Sequence, residues 1–263
     1  MQLSGRTVLL TGATGGIGQA IARHAHRTGA SLVLTGRRAD VLEPLAAEVG
    51  GRAVACDLAR RDEVERLARE CAEADVLIAN AALPASGRLD AFDVDRIDRS
   101  LEVNLRAPVV LTHALLPHWQ GRGAGHAVYV SSISGKIGSG GSSVYSATKF
   151  GLRGFAQALR DELHGTGIGV SVVFPGFIRD AGMFADSGAK LPPGVGTNSP
   201  DDVARAVITA IERDRGEIDV APLMLRGSAK LNGIAPGLVN GLSRRLGSAK
   251  VAAEIASGQR AKG

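Results

Sequence analysis

The chain alternates short apolar runs with longer amphipathic segments from its beginning to about residue 220. The short runs are rich in Val, Leu and Ile, whereas the longer segments repeat apolar residues at the spacing of one helical face. Alternation of strand and helix predicts βαβ units and a parallel sheet, and continuous apolar runs are typical of strands covered on both faces. We therefore predict strands at residues 6–11, 31–35, 52–56, 75–79, 126–131, 168–174 and 217–220.

Two long amphipathic segments predict helices that pack on one face of this sheet. The first runs from Arg96 to Trp119 and is expected to break or kink at Pro108, because proline removes a main-chain donor inside a helix. The second runs from about Ser143 to His164. With the strands, they predict an α/β fold: one three-layer, doubly wound, Rossmann-like domain over residues 1–222 with a seven-stranded, mostly parallel sheet.

Two segments depart from this alternation. Residues 175–200 are rich in Gly, Pro, Ser and Ala and too long for a simple connection, so they are a candidate lid over a substrate, with surface disorder as the alternative. Residues 223–263 predict a basic amphipathic helical extension of the same domain, for which packing on the body of the protein or on another subunit is favoured over contact with a membrane surface. Its apolar positions are Leu223, Leu225, Leu231, Ile234, Leu238, Val239, Leu242 and Leu246, and its basic positions are Arg226, Lys230, Arg244, Arg245 and Lys250.

Composition narrows the class of protein. Hydrophobic residues make up 44% and charged residues 22% of the chain, as is usual for a folded globular protein. The net charge of +5 and the isoelectric point near 9.6 raise the question of a nucleic-acid partner. The basic residues are spread along helical segments beside acids and form no run with interleaved aromatics, so we expect no such partner.

Cysteine and histidine usage favours neither a disulfide framework nor a metal site. Cys56 and Cys71 are not in a CxxC arrangement, and the histidine intervals put no pair on one helical face with a carboxylate. The sequence shows no signal-like leader before the first predicted strand and no apolar stretch of membrane-spanning length. We therefore expect reduced thiols and a cytoplasmic location.

A glycine-rich turn follows the first predicted strand and opens a helical pattern. Glycines there let the chain turn tightly and let a pyrophosphate reach main-chain N–H groups at the positive end of a helix. The strand–turn–helix context favours a dinucleotide-binding site over a mere connecting turn. The candidate contacts are Gly12, Thr14, Gly15, Gly16, Ile17 and Gly18.

The second predicted strand is followed by Arg37 and Arg38, where a site for NAD(H) would carry an acid to hold the ribose 2′-hydroxyl. An acid would repel a 2′-phosphate, whereas a guanidinium can pair with it, so the sequence predicts NADP(H) in preference to NAD(H). Asp57, after the third strand, is placed either to accept a hydrogen bond from adenine or to cap a helix. The sequence leaves these two roles open.

Tyr145 and Lys149 lie one helical turn apart on the same face of a predicted helix. A nearby cation favours the phenolate, which brings the phenol closer to the range in which it can exchange protons. Such a spacing is common on solvated helix faces. Ser131 and Ser132 add weight to the functional interpretation, because they end the preceding strand at the edge where parallel sheets bind ligands.

In order and spacing, these motifs resemble those of the classical short-chain dehydrogenase/reductase family over residues 4–220. The resemblance is carried by Thr-Gly-x-x-x-Gly-Ile-Gly at residues 11–18, Asp57, Asn80-Ala81-Ala82, Asn104, Ser132 thirteen residues before Tyr145, Lys149, and Pro175-Gly176. It implies that Tyr145 is the general acid in reduction and the base in oxidation, and that Ser132 binds the substrate oxygen. It also implies that Lys149 holds the nicotinamide ribose and lowers the phenol pKa, and that Asn104 fixes a water. Further cofactor contacts are implied at Asp57, Leu58, Asn80, Ala81, Tyr145, Lys149, Pro175, Gly176 and Ile178.

The chain departs from the family pattern at two places. Where the family often has Asn-Asn-Ala-Gly, this chain has Ala-Asn-Ala-Ala at residues 79–82, so the methyl group of Ala82 lies where a glycine hydrogen is usual. Asp180 stands where the family commonly has a Thr that bonds the carboxamide of nicotinamide. A carboxylate can accept from that amide, but it brings a second negative charge near the cofactor.

From these features we expect an NADP(H)-dependent oxidoreductase that interconverts a carbonyl and a secondary alcohol. The substrate is expected to be a small apolar molecule, because its pocket would be lined near Leu83, Ser134, Ile137 and the segment after Gly176. The resemblance implies a homodimer or homotetramer. Two alternatives belong to other classes: a non-catalytic NADP(H)-binding sensor or scaffold, and a nucleic-acid or membrane-surface binder that uses the basic tail.

Overall fold

Seven parallel strands form the middle layer of the fold in the computed structural model, which describes residues 1–189, 191, 195–245, 254–255 and 257–258. The order of the strands across the sheet is β3-β2-β1-β4-β5-β6-β7, with every neighbouring pair parallel. The strands are β1 (Thr7–Thr11), β2 (Ser31–Gly36), β3 (Arg52–Ala55), β4 (Val76–Ala79), β5 (Gly125–Val130), β6 (Ile168–Pro175) and β7 (Glu217–Val220). The predicted strands and the Rossmann-like fold are confirmed, with each strand boundary within one residue of its prediction.

Helices cover both faces of the sheet. Side chains of α1, α2 and α8 bury one face of the strands, and those of α3, α5 and α6 bury the other. Within β1, Val8 and Leu10 point to the first core and Leu9 to the second, as the twofold repeat of a strand requires. The helices are α1 (Gly16–Arg27), α2 (Ala39–Glu48), α3 (Arg61–Glu70), α4 (Val94–Leu101), α5 (Ala107–Arg122), α6 (Ser143–Glu162), α7 (Gly182–Ser187), α8 (Pro200–Glu212), α9 (Leu223–Ile234) and α10 (Pro236–Arg245).

The carboxyl ends of the central strands meet at one edge of the sheet. Thr11 at the end of β1 is in register with Thr35 of β2 and with Ala79 of β4. The chain leaves β1 toward β2 and β3 on one side and later returns to β4 on the other. A crevice at such a switch point is where open α/β sheets bind their ligands.

The long helix predicted from Arg96 to Trp119 is three segments. α4 ends at Leu101, a π-helical turn occupies Glu102–Arg106, and α5 begins at Ala107. Pro108 is the second residue of α5, and the helix is interrupted directly before it, so the expected break lies a few residues N-terminal to the proline. The interruption is the wider π turn that precedes the proline, and it contains Asn104.

The C-terminal extension is helical, as the stripe predicts, over α9 and α10. Ala229 and Val239 are buried, whereas Leu223 and Leu238 are exposed, so only part of the apolar stripe packs on the body. Leu246 and Lys250 lie outside the described residues, as does Lys190 in the segment predicted as a lid.

No helix in the described part of the chain is long and apolar enough to cross a membrane.

Candidate active site

The glycine-rich turn after β1 is held in place by close main-chain packing. Gly12 has a φ of +67°, and a Cβ placed on it would lie 2.6 Å from Cα of Ala81. A Cβ on Gly18 would lie 2.2 Å from the carbonyl oxygen of Gly12. Because no side chain larger than hydrogen fits at either position, these two glycines set the shape of the turn.

Thr11 and Asn80 tie this turn to the end of β4. The Asn80 side chain donates from Nδ2 to the carbonyls of Thr11 at 3.2 Å and Gly12 at 3.1 Å. The Thr11 hydroxyl accepts from the main-chain N–H groups of Asn80 and Ala81, each at 3.1 Å. Asn80 and Ala81 therefore hold the turn in place through hydrogen bonds. The part that Thr11 plays in this network is not evident from the sequence.

The first turn of α1 is open to an anion. Gly15 precedes the helix without a side-chain cap, and the first turn contains no acid. The first main-chain N–H groups of a helix lack partners within it and carry its positive end. Gly16, Ile17 and Gly18 therefore offer N–H donors to an anion, and no acidic side chain in this turn repels it. Thr14, Gly15 and Ile17 line the same turn. These features fit the pyrophosphate of a dinucleotide.

The two arginines after β2 lie beside the turn. Arg38 donates from Nη2 to the carbonyl of Thr14 at 2.5 Å, and Arg37 is exposed. A Cβ on Gly36 would lie 2.8 Å from Cγ2 of Thr14. The glycine at the end of β2 therefore makes room for the Thr14 side chain of the glycine-rich turn. A cationic side chain at each of these positions suits a phosphate on the ribose 2′-oxygen.

Asp57 does not cap a helix, since α3 is preceded by Arg60. Its Oδ1 accepts from the N–H of Ala59 at 3.1 Å, and its Oδ2 pairs with Arg99 of α4 at 3.0 Å. The pairing with Arg99 crosses from α4 to the end of β3 and was not foreseen. Leu58, the next residue, is buried.

Ser132 and Tyr145 meet at the carboxyl end of β5. The Oγ of Ser132 accepts from the N–H of Ser134 at 3.1 Å and starts the short 3-10 turn Ile133–Gly135. Tyr145 lies in the first turn of α6. Burial raises the pKa of the Tyr145 phenol to about 12, and its hydrogen bond with Ser132 opposes that rise. The phenol is therefore protonated at neutral pH in the protein without cofactor.

Lys149 is a fully buried ammonium beside this pair. Its side chain is 1% exposed, and its Nζ donates to the carbonyl of Val130 at 2.9 Å and lies 5.6 Å from the centre of the Tyr145 ring. Burial lowers the pKa of Lys149 to about 8, because removal from water disfavours the charged form. A cation held at this cost next to a phenol is unusual on a structural helix and is typical of functional sites.

Asn104 is buried in the π turn, and its side chain is occupied by the segment after β4. Its Oδ1 accepts from the N–H of Leu83 at 2.6 Å, and its Nδ2 donates to the carbonyl of Leu83 at 3.0 Å. A longer contact of 3.5 Å joins Nδ2 to Oγ1 of Thr148 on α6. The side chain thus holds the main chain of Leu83 relative to α6, which is a positioning role.

The segment after β6 closes over the same edge. Pro175 ends β6, the N–H of Gly176 donates to the carbonyl of Val220 at 2.9 Å, and Ile178 is buried and forms a bridge with Asn198. Beyond this bridge, a Cβ on Gly16 would lie 2.4 Å from Cβ of Ala181, so the predicted lid segment rests directly on the start of α1.

The comparisons with known proteins agree with this geometry. Residues 6–191 match the short chain dehydrogenase family. Ketoacyl reductase HetN of Nostoc sp. is 37% identical over 227 residues, which cover 83% of this chain and 79% of that protein. Dehydrogenase/reductase SDR family member 7B of Mus musculus is 33% identical over 256 residues, covering 90% and 79% respectively. A short-chain dehydrogenase from Sphingobium yanoikuyae in complex with NADPH is 30% identical with a TM-score of 0.78, covering 89% of this chain and 94% of that one.

The chain belongs to the short-chain dehydrogenase/reductase family. It is an oxidoreductase of the class that binds a nicotinamide cofactor and acts on small molecules.

For a short-chain dehydrogenase, the least expected features of this site are Ala82 and Asp180. Ala82 is half-buried beside the Asn80 network. Asp180 has a φ of +66° and a largely exposed side chain that lies 3.4 Å from Nε of Arg179. The guanidinium of Arg179 therefore partly balances the negative charge of Asp180.

Two supports of the site could not be inferred from the motifs. The Ser131 hydroxyl donates to the carbonyl of Lys149 at 3.1 Å. A Cβ on Gly135 would lie 2.7 Å from that same carbonyl oxygen. Ser131 and Gly135 thus bring α6 against the end of β5, and only the glycine after the Ser132 turn could have hinted at this close approach.

Proposed function

We propose that this short-chain oxidoreductase uses NADP(H) to interconvert a carbonyl and a secondary alcohol, with Tyr145 as the general acid and base. The observation that carries the proposal is the meeting of Ser132, Tyr145 and a buried Lys149 at the sheet edge that also bears the open N-terminus of α1. A phenol, a hydroxyl and an ammonium at one edge can bind and protonate a carbonyl oxygen. The proposed catalytic unit spans residues 1–222, with residues 223–263 as its extension.

Each side chain has a distinct task in this proposal. Tyr145 donates its proton to the carbonyl oxygen during reduction and accepts it back during oxidation, while the Ser132 hydroxyl donates a hydrogen bond to the same oxygen. Lys149 holds its positive charge beside the phenol and binds the ribose next to the nicotinamide. Asn104 positions the main chain of Leu83. The cofactor, when bound, supplies or accepts the hydride.

The preference for the phosphorylated cofactor is proposed from charge. Arg37 and Arg38 follow β2 where a dinucleotide presents its adenosine ribose, and no acid stands between them and the turn. Asp57, Leu58, Asn80, Ala81, Pro175, Gly176 and Ile178 are proposed as the remaining cofactor contacts. The complex of the Sphingobium relative with NADPH supports this choice.

The substrate is proposed to be a small apolar ketone or the matching alcohol. Leu83, Ile137 and Phe177 are half-buried around the edge where Ser132 and Tyr145 meet. Such walls select apolar groups, while the two hydroxyls orient one oxygen. The name ketoacyl reductase given to the Nostoc relative supports a ketone with an acyl chain.

Assembly and location are proposed from the family and the surface. The exposed Leu101 and Phe150 lie on α4 and α6, near Asn104 and Tyr145, and would be covered in a homodimer or homotetramer built through these helices. We propose a cytoplasmic location, because Cys56 and Cys71 are both free and buried.

The decisive experiment is a titration of the protein with NADPH and with NADH, followed by the fluorescence of the cofactor. Trp119 is a poor reporter, since it is fully buried and donates to the carbonyl of Ala74 at the opposite end of the strands. NADPH is expected to bind at least about tenfold more tightly than NADH, and Arg37→Asp is expected to abolish that difference. Arg213→Asp, an exposed arginine after α8, is the matched control.

A panel of apolar ketones then tests the reaction itself by loss of NADPH absorbance. Turnover by the wild type supports the proposal. Tight NADPH binding without turnover of any ketone or alcohol would favour the sensor or scaffold instead. Absence of binding by either cofactor would overturn the proposal.

A further inference from the structure

The apolar side chains of α9 and α10 are unusually exposed for a folded chain. Leu223 is 81% exposed, Ile234 84% and Leu238 72%, and Met224 and Leu231 are also exposed. Isolated exposed leucines are ordinary, but five large exposed apolar side chains on two consecutive helices are not. We call the exposed side of these two helices, with the five residues just named, the α9–α10 face.

The pattern on α9 is that of a helix lying along an interface between water and an apolar phase. Leu223, Leu231 and Ile234 recur at helical spacing and lie on one side of α9. Arg226 and Lys230, one turn apart and both exposed, form a basic strip along the border of that side. Long basic side chains at such a border can keep their charges in water while their stems cover apolar surface.

The opposite side of α9 is fixed to the protein. Ala229 is buried, and Asn232 donates from Nδ2 to the carbonyl of Lys136 at 2.9 Å. Leu225 lies close enough to Gly176 that a Cβ there would be 3.5 Å from its Cδ1. The helix is therefore anchored beside the 3-10 turn that follows Ser132, with its exposed apolar side turned outward.

Charge indicates what covers this face. Residues 220–253 contain no Asp or Glu, whereas Arg226, Lys230, Arg244, Arg245 and Lys250 all fall within them. In a symmetric contact between two copies, the same basic strips would approach one another without an acid from this segment to pair with. Nucleic acid is disfavoured as well, because leucine side chains offer no stacking surface for bases. A basic border around aliphatic side chains instead complements a surface with anionic groups over hydrocarbon.

We propose that the α9–α10 face docks on the surface of a bilayer that contains anionic phospholipid. The contact is peripheral: the exposed aliphatic side chains enter the headgroup region and the basic strip pairs with lipid phosphates. If the proposed function is right, docking also brings the Ser132 edge near ketones dissolved in the bilayer. That consequence depends on the proposed function, whereas lipid binding does not.

The experiment is co-sedimentation of the full chain with vesicles of phosphatidylcholine alone and with vesicles that contain about one-third phosphatidylglycerol. Binding is expected to be at least about tenfold stronger to the anionic vesicles and to weaken as salt screens the charges. The variant Leu231→Glu/Ile234→Glu is expected to lose this binding. Its matched control, Leu89→Glu/Val94→Glu, changes two residues that are 58% and 69% exposed elsewhere on the surface and is expected to bind as the wild type does.

NADPH titration and thermal unfolding of both double variants separate loss of lipid binding from loss of fold. Equal sedimentation with both vesicle types, or unchanged binding by Leu231→Glu/Ile234→Glu, would overturn the proposal. If the wild type does not bind vesicles and Leu231→Glu/Ile234→Glu forms smaller oligomers than the wild type, the face would be assigned to a contact with a second copy instead. Since vesicle binding requires no turnover, it can succeed or fail independently of the proposed reaction.

Discussion

The two halves of the candidate active site differ in what shapes them: main chain on one side and ionisable side chains on the other. At the ends of β1, β2 and β4, the turn is shaped by main chain and by glycines, with Gly12 and Gly18 excluding any Cβ. At the end of β5, the site is shaped by ionisable side chains, and Tyr145 and Lys149 have pKa values moved by burial to about 12 and about 8.

This difference teaches where each half is vulnerable. A glycine turn binds through geometry, so an added methyl group should damage both the fold and cofactor binding. Buried ionisable groups are chosen for chemistry at the expense of stability, so removing them should abolish turnover while the fold is kept or improved.

Replacing Tyr145 by Phe removes the proposed proton donor and leaves the ring. Turnover is expected to fall by about 10²–10⁴-fold, the usual contribution of a general acid. The affinity for NADPH and the unfolding temperature should stay close to those of the wild type, because the substitution removes only the hydroxyl and keeps the ring. Single-turnover kinetics with NADPH and any ketone accepted by the wild type measure the first effect. A variant that retains more than about a tenth of the rate would remove Tyr145 from the chemistry.

Replacing Gly12 by Ala tests the other half. The substitution forces a Cβ to within 2.6 Å of Cα of Ala81 at a φ of +67°, so we expect a loss of about 3 kcal/mol of unfolding free energy and at least tenfold weaker NADPH binding. Gly50→Ala is the matched control, since Gly50 has a φ of +58° but nothing within 4 Å of an added Cβ. It should lose only about 1 kcal/mol by urea denaturation and bind NADPH normally. Equal behaviour of the two variants would refute the packing argument.

The sequence predicts the two halves of the site to different extents. The strands were found because a parallel sheet buried on both faces leaves continuous apolar runs, and the glycine turn was found because its contacts are local. Supports that join distant segments leave no such pattern. The pairing of Asp57 with Arg99 and the bond from Ser131 to Lys149 were therefore missed.

The π turn at Glu102–Arg106 shows the same limit. Pro108 indicates an interruption of the helix, but the apolar period continues through residues 102–106, so the pattern does not show that the interruption is a π turn before the proline. The exposure of Leu223 and Ile234 is also invisible in the pattern, since an amphipathic stripe does not say what covers it.

Replacing Lys149 by Met should separate activity from stability. Burial lowers the pKa of Lys149 from 10.5 to about 8, which corresponds to about 3 kcal/mol of lost stability, and losing the charge-assisted bond to the Val130 carbonyl offsets about 2 kcal/mol of the gain. The variant is therefore expected to be inactive yet about 1 kcal/mol more stable without cofactor. Calorimetry of both proteins without cofactor measures the difference.

The pH dependence of that difference has a definite sign. Below about pH 8, Lys149 is charged in both the folded and unfolded states, and the wild type carries the whole penalty of burial. Between about 8 and 10.5, the folded state releases the proton while the unfolded state keeps it, so the wild type gains stability as pH rises. The advantage of Lys149→Met should thus shrink between about pH 7 and pH 9.5. An advantage that grows over this range would contradict the burial of a charged lysine.

The smallest expected effect on turnover is that of replacing Ser131, the direct neighbour of Ser132. Ser131 is 4% exposed and its hydroxyl donates to the Lys149 carbonyl, so Ser131→Ala should lower the unfolding free energy by about 1 kcal/mol and turnover by only a few fold. Ser132→Ala should cost a similar amount of stability, because its Oγ accepts from the N–H of Ser134. Its loss of turnover should be near that of Tyr145→Phe, because its hydroxyl faces the phenol. Urea denaturation and ketone reduction on both variants make the comparison. If Ser131→Ala were the less active of the two, Ser131 rather than Ser132 would bind the substrate oxygen. The thirteen-residue interval between Ser132 and Tyr145 would then not identify the functional serine in this chain.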